Sequence, residues 1–214
     1  VTAPLHAIPV DPPTLAMTFR INDGPLGGRE GKKVTSRQIR DRLFKETEGN
    51  VAIKVKVSEE VDAFEVAGRG ELQLGVLIEQ MRREGFELTI GRPRVLTREN
   101  PETGEREEPF EECLIDVDEG YSGVVVEKMS IRKGQMQDMR PSGGGKVRLT
   151  FHIPSRGLIG YHGEFLTDTR GTGMMNRLFL GYRPWAGPIE GRRNGSLISN
   201  ADGEAIQYAL FYLQ

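Results

Sequence analysis

VAGRGELQLGVLIEQMRREGFELTI, residues 66–90, contains the clearest helix pattern of the chain, set between two short strand patterns. Residues 71–84 carry one apolar stripe at the 3.6-residue period of a helix, formed by Leu74, Leu77, Ile78 and Met81. Gly85 is the residue type that ends a helix, because glycine adopts the left-handed conformation without strain. Strands are predicted before and after the helix, at 62–67 and 86–90.

Strand and helix patterns also alternate upstream of this stretch. Strands are predicted at 14–21 and 51–57, and a helix begins at a capping box, residues 35–38, and ends at Gly49. Its predicted core-facing side chains are Ile39, Leu43 and Phe44. Two helices with one apolar face each, in the order βαββαβ, predict a ferredoxin-like module over residues 14–94.

The pattern recurs after an acidic linker, 95–109, and predicts a second module of the same fold over 110–187. Its strands and helices are expected at 110–117, 121–131, 134–139, 146–153, 155–167 and 177–182, with Val124, Val125 and Met129 turned inward. Residues 1–13 are interpreted as a proline-rich linker from an upstream domain. Residues 188–214, with hairpin patterns at 195–199 and 204–211, are interpreted as the start of a truncated C-terminal domain. The predicted fold class is therefore α+β, two tandem ferredoxin-like modules followed by a β-rich segment.

The charge is distributed asymmetrically along the chain. Residues 99–127 contain eleven acidic residues and one basic residue, whereas residues 130–193 contain eleven Lys/Arg and four Asp/Glu. A basic half on a chain of net charge −2 is the electrostatic pattern expected of a protein that binds a phosphate backbone. The alternative is that the arginines only balance the acidic segment, whose Glu107, Glu108, Glu111 and Glu112 are expected to be solvated.

The chain shows no pattern of a catalytic or metal site. GGREGKKVTSRQ, residues 27–38, resembles a phosphate-binding loop, but Leu26 and Lys33 stand where GxxxxGK[ST] needs a glycine and a hydroxyl. One cysteine, Cys113, excludes an internal disulfide and fits a reducing, cytoplasmic compartment. The three histidines lack HExxH spacing, and no apolar run approaches the ~20 residues that cross a bilayer. We therefore expect neither a cofactor nor a metal ion in this chain, and no membrane partner.

Several long motifs carry a family resemblance. VAGRGELQLGVLIEQMRREGFEL is similar to the third domain of elongation factor G, and RKGQMQDM with GGGKVRLTFHIPSRGLIGYHGEFLTDTRGTG is similar to its fifth domain. IPSRGLIGY, NGSLIS, TSRQIRDRL and MRREGFELTIGRPRVL resemble the TypA/BipA family of ribosome-associated translational GTPases. The resemblance extends over nearly the whole chain from about residue 12.

The resemblance implies a function in translation, ribosome assembly and stress response. It also implies that GTP and Mg²⁺ bind in an upstream GTPase domain, followed by a β-barrel domain, and that this chain is not itself an enzyme. The implied partners are the ribosome and its rRNA, not DNA. Third domains of such factors lie near the small subunit, and fifth domains lie against large-subunit RNA.

The residues expected to contact rRNA are basic positions of the second module: Arg132, Lys133, Arg140, Lys146, Arg148, Arg156 and Arg170. The PSGGG loop, 141–145, can approach a phosphate closely, and the equal strand parity of Lys146 and Arg148 predicts one shared face. Arg156 is expected at a helix N-terminus, where the dipole favours an anion. A ferredoxin-like module that binds a protein or a small molecule, and an independent enzyme, are the alternatives.

Overall fold

The computed structural model describes residues 12–25, 27–191 and 203–211, and it contains two antiparallel sheets. The elements of the first module are β1 (Leu15–Ile21), α1 (Ser36–Gly49), β2 (Lys54–Val57), β3 (Ala63–Gly68), α2 (Glu71–Arg83) and β4 (Leu88–Ile90). The strand order is β2-β3-β1-β4, and all pairs are antiparallel. This is the ferredoxin-like topology that the sequence predicts.

Both helices of the first module pack one face on the sheet. The buried side chains are Ile39 and Leu43 of α1 and Leu74, Leu77 and Met81 of α2. Ile78 is only partly buried at the margin of this core, and Phe44, predicted to face inward, is exposed. The buried stripe on each helix is thus narrower than predicted.

The ends of these helices form as the sequence predicts. The Thr35 hydroxyl accepts from the Gln38 N–H while the Gln38 side chain accepts from the Thr35 N–H, which completes the capping box. After α2 the chain reverses at Gly85, whose φ of +84° lies in the left-handed region.

The second module repeats the same topology. Its elements are β7 (Arg106–Asp118), α3 (Glu119–Ile131), β8 (Gln135–Gly143), β9 (Lys146–Pro154), α4 (Ser155–Leu158), α5 (Tyr161–Asp168) and β10 (Met174–Pro184). The strand order is β10-β7-β9-β8, again antiparallel throughout. A separate core lies between this sheet and its helices, built around Tyr161, Phe151 and Phe165. Two tandem ferredoxin-like modules are thereby confirmed.

Three details of the second module differ from the prediction. The helix predicted at 155–167 is two helices, because Ile159 is extended and Gly160 has a φ of +71°. Strand β7 begins at Arg106 rather than at 110, and Glu107 and Glu108 are buried, so their predicted solvation is wrong. Val124 is exposed, while Val125 and Met129 are buried as expected.

The segment predicted as an acidic linker is hydrogen-bonded into both sheets. The two-residue strand β5 (Arg94–Val95) pairs with β1, and β6 (Arg98–Glu99) pairs with β7. Ile159 of the second module packs against the core of the first, and the Gly160 N–H donates to Glu71 Oε1 at 3.1 Å. The two modules are therefore in direct contact.

The predicted terminal segments are only partly described. Residues 1–11 and the first half of the hairpin, 195–199, lie outside the described residues. Its second half is not a strand but the short helix α6 (Gln207–Phe211), so the hairpin prediction is wrong there. Gln, Ala and Leu are residues that favour a helix. In this short segment their helix propensity outweighs the strand pattern.

Leu77→Ala tests the assignment of the α2 face. Leu77 is 2% exposed, so we expect the free energy of unfolding to fall by about 2–5 kcal/mol through lost burial and an unfilled cavity. Leu72, on the same helix but 81% exposed, is the matched control, and Leu72→Ala should change stability by less than about 0.5 kcal/mol. Urea denaturation of both variants measures the difference, and equal losses would mean that the face is misassigned.

Candidate nucleic-acid interface

The outer face of the second sheet carries charged side chains because only the other face is covered by helices. Along β9 the residues alternate between buried Val147, Leu149 and Phe151 and half-buried intervening positions. Lys146 and Arg148 have the same parity in this alternation, so their projection from one face is confirmed.

A glycine-rich hairpin joins β8 to β9 at one end of this sheet. Every residue of β8 is exposed, and Gly143, Gly144 and Gly145 have φ values of +83°, +61° and +75°. A side chain would be strained at each of these positions, and none projects there. The hairpin tip can thus bring its backbone close to a phosphate group.

Two basic side chains of the hairpin are not neutralised by a strong ion pair within the described residues. Arg140 lies 3.6 Å from the Asp138 carboxylate, and its side chain is 64% exposed. Lys146 forms no ion pair within the described part of the chain. An exposed pair at such a distance contributes little, so both charges are available to a partner.

Arg148, in contrast, is committed to the sheet. Its Nε and Nη2 donate to both oxygens of the Asp116 carboxylate, at 2.9 and 2.8 Å, from the neighbouring strand. This side-chain hydrogen bonding holds the pKa of Asp116 below its usual value. Because the bidentate pair uses the guanidinium edge, Arg148 has few donors left for RNA.

Arg170 lies at the same end of the module as the hairpin. Thr172, two residues later, donates from its hydroxyl to Asp118 Oδ2 at 2.8 Å. Asp118 lies opposite Lys146 in the backbone register of β7 and β9. Arg170 itself is exposed, with a φ of +50° and no ion pair in the ranges described. We call the surface formed by Arg140, Lys146, Arg170 and Gly143–Gly145 the hairpin end.

The remaining predicted residues lie at the opposite end of the module. Arg132 donates to the Gly157 carbonyl at 3.0 Å, pairs with Glu164 at 3.1 Å and lies over the Tyr161 ring. Lys133 is exposed, with a φ of +66°. The seven candidate residues therefore do not form one surface.

Arg156 is mostly buried rather than exposed, with 13% of its side chain accessible. Its guanidinium pairs with Glu108, which is 0% exposed, donates to the Gly187 carbonyl, and lies 3.8 Å from the centre of the Trp185 ring. The helix that it was expected to begin, α4, has only four residues. The predicted contribution of a helix dipole to anion binding is thus not available at this position.

A basic cluster of the first module was missed by the sequence reasoning. Arg29, Lys32, Arg37 and Arg40 are all exposed on α1 and the loop before it, and the last two share one carboxylate, Asp41, at 3.9 and 3.7 Å. The signal was present in the composition, since residues 29–45 contain seven Lys/Arg and two Asp/Glu.

No catalytic arrangement is found in the described ranges. The Cys113 thiol is buried, and desolvation raises its pKa to about 12, so a reactive thiolate does not form near neutral pH. Residues 12–25, 27–191 and 203–211 hold no group of three or more side chains that could ligate a metal ion. No helix among them is long and apolar enough to cross a bilayer.

The loop that resembles a phosphate-binding loop encloses a side chain of the protein. The backbone N–H groups of Gly28, Glu30 and Gly31 donate to the carboxylate of Glu87 at 2.8, 3.2 and 3.0 Å. The amides that would cradle a phosphate are thus occupied by an internal carboxylate.

Comparisons with known proteins agree with the fold of the chain. The family "Elongation factor G C-terminus" matches residues 105–193, which contain the second module. A crystal structure of a protein from Thermus thermophilus has a similar fold, with a TM-score of 0.51 and 12% sequence identity over 84% of this chain and 42% of that one.

The chain is also similar to proteins named "Large ribosomal subunit assembly factor BipA". It is 52% identical to those of Salmonella typhimurium and Haemophilus influenzae over 98% of its length, and 50% identical to that of Synechocystis over 96%. It spans about a third, 34%, of the length of each of these relatives. With this identity along nearly its whole length, the chain belongs to the TypA/BipA family.

Proposed function

We propose that this chain is a ribosome-docking region of a cytoplasmic TypA/BipA-like translational GTPase, with rRNA as its partner and no catalytic step of its own. In such a protein GTP and Mg²⁺ bind to a GTPase domain, which these residues do not include. The whole protein would act in translation, large-subunit assembly and the stress response. The names of the relatives, which refer to assembly of the large ribosomal subunit, support the ribosome as the partner.

The hairpin end is the observation that carries this proposal. Arg140, Lys146 and Arg170 present charges that no strong internal ion pair neutralises in the ranges described, beside a tip of three glycines with positive φ. Cationic side chains next to an accessible backbone bind phosphate groups without reading base sequence. This combination suits the backbone of a folded RNA, which presents phosphates at short intervals.

The internal ion pairs narrow the original set of candidate residues. Arg132, Arg148 and Arg156 direct their guanidinium groups at Glu164, Asp116 and Glu108. For Arg148 and Arg156 the structural alternative is favoured, namely that basic residues balance the acidic segment 99–127. Arg132 is paired instead with a carboxylate of its own basic half. Lys133 is exposed but separate from the hairpin end, so we place it outside the main contact.

The double variant Lys146→Ala, Arg170→Ala tests the hairpin end. We expect weaker binding to isolated large ribosomal subunits, and a log–log dependence on salt that is shallower by about 1–2 units, because one or two phosphate contacts are lost. Equilibrium binding measured between low and moderate salt gives both quantities. Lys54→Ala, Lys56→Ala removes two cations from β2 of the first module and is the matched control.

A salt dependence equal in the two double variants would contradict the proposal. Binding that is insensitive to salt in the unchanged chain would instead favour the alternative of a protein-binding ferredoxin-like module, since apolar interfaces release few counterions.

Arg156→Ala separates a structural arginine from an RNA-binding one. Because it leaves the fully buried Glu108 without its cation, we expect the free energy of unfolding to fall by about 3–5 kcal/mol. Arg82→Ala, which removes an exposed arginine of α2, should cause a much smaller loss in the same urea titration. A loss no larger than in this control would mean that the Glu108 pair is not needed for folding.

The absence of a nucleotide site in this chain is also testable. The loop at 27–38 lacks the spacing of a phosphate-binding loop, and its amides are bonded to Glu87. We therefore expect calorimetry to detect no GTP binding to the 214-residue chain. Saturable binding at micromolar GTP would contradict this expectation and support an independent enzyme.

A further inference from the structure

The loop between β1 and α1 directs four N–H donors at one carboxylate, that of Glu87. Besides the amides of Gly28, Glu30 and Gly31, the Asn22 side chain donates to Glu87 Oε1 at 2.6 Å. The bonds are divided evenly, two to each oxygen. Both oxygens of the anion are therefore held at defined positions, as in the backbone nests that bind phosphate.

The conformation of this loop depends on glycines at fixed places. Gly28 has a φ of +82°, which other residues rarely adopt. A Cβ at Gly31 would lie 2.8 Å from the Glu87 Cβ and 2.9 Å from the Gly85 carbonyl oxygen, and a Cβ at Gly27 would lie 2.7 Å from the Asn22 carbonyl. The backbone approaches the carboxylate closely only because these side chains are absent.

The donors favour a full negative charge in the loop. Hydrogen bonds from Gly31 and Gly28 are the main cause that holds the pKa of Glu87 below its usual value. The neighbouring residues Arg29 and Lys32 are exposed and form no ion pair in the part of the chain that the structure describes. The surroundings of the loop could thus neutralise an anion of higher charge than a carboxylate.

We propose that the Asn22 side chain and the backbone amides of Gly28, Glu30 and Gly31 form an oxyanion-binding site, which Glu87 occupies as an internal ligand and which takes a phosphate group when the carboxylate is withdrawn. Two oxygens of a phosphate can accept the same four hydrogen bonds that the carboxylate accepts. Its third oxygen would remain for Arg29 or Lys32. The site lies in the first module, apart from the hairpin end, and it does not depend on RNA binding there.

Phosphate binding to Glu87→Ala tests this site. We expect inorganic phosphate to shift the amide NMR resonances of Gly28 and Gly31 in a saturable way, and to raise the melting temperature of the variant above its value in chloride of equal ionic strength. In the unchanged chain the tethered carboxylate competes, so the apparent Kd should be at least about tenfold higher. Dimethyl phosphate, a diester like that of a nucleic-acid backbone, distinguishes a backbone phosphate from the free anion as the ligand.

Glu79→Ala is the matched control. Glu79 also accepts several hydrogen bonds, but only from the side chains of Arg82 and Arg83, so its removal opens no backbone site. If phosphate stabilises Glu79→Ala as much as Glu87→Ala, the effect is a general one of the salt and the proposal is wrong. Absence of shifts at Gly28 and Gly31 also overturns it. Should Glu87→Ala not fold, Glu87→Ser, which also removes the carboxylate from the loop but keeps a polar side chain, decides in the same titration.

Discussion

One-sided burial of the second sheet is the constraint on which the rest of this structure depends. In a βαββαβ module both helices lie on the same face, so the strands must alternate between apolar and polar residues. The alternation along β9 shows this division, with Val147, Leu149 and Phe151 inside. The opposite face stays uncovered, and the charged residues that the sequence must place there become neighbours across the strands.

Pairing among these neighbours decides which cations a partner can reach. Arg148 meets Asp116 on the adjacent strand, and the acidic start of β7 turns inward, where Glu108 requires Arg156. The excess of basic residues in the second module is therefore smaller at its surface than in its sequence. The charges that remain lie where strands end, in the hairpin and in the turn at Arg170.

The fold was predictable from the sequence, whereas the candidate site was predictable only in part. The 3.6-residue hydrophobic period and the capping residues predicted α1 and α2. The βαββαβ order of the elements predicted the strand order, because the apolar face of each helix has to pack on the sheet. The break at Gly160 and the buried Glu107 and Glu108 were not predicted, because they depend on contacts between distant segments. Charge counting found the basic half but could not assign ion pairs, since Arg148 and Asp116 are adjacent only across a sheet.

The short connection between the sheets has a mechanical consequence. Between β5, which is bonded to the first sheet, and β6, which is bonded to the second, lie only Leu96 and Thr97. The Leu96 N–H is itself bonded to the Thr14 carbonyl at 2.9 Å, so the freely rotating torsions of the connection are few. Because the connection is so short, the two modules are mechanically coupled. A displacement of one module would rotate the other, and a force applied at the hairpin would exert a torque on the sheet of the first module.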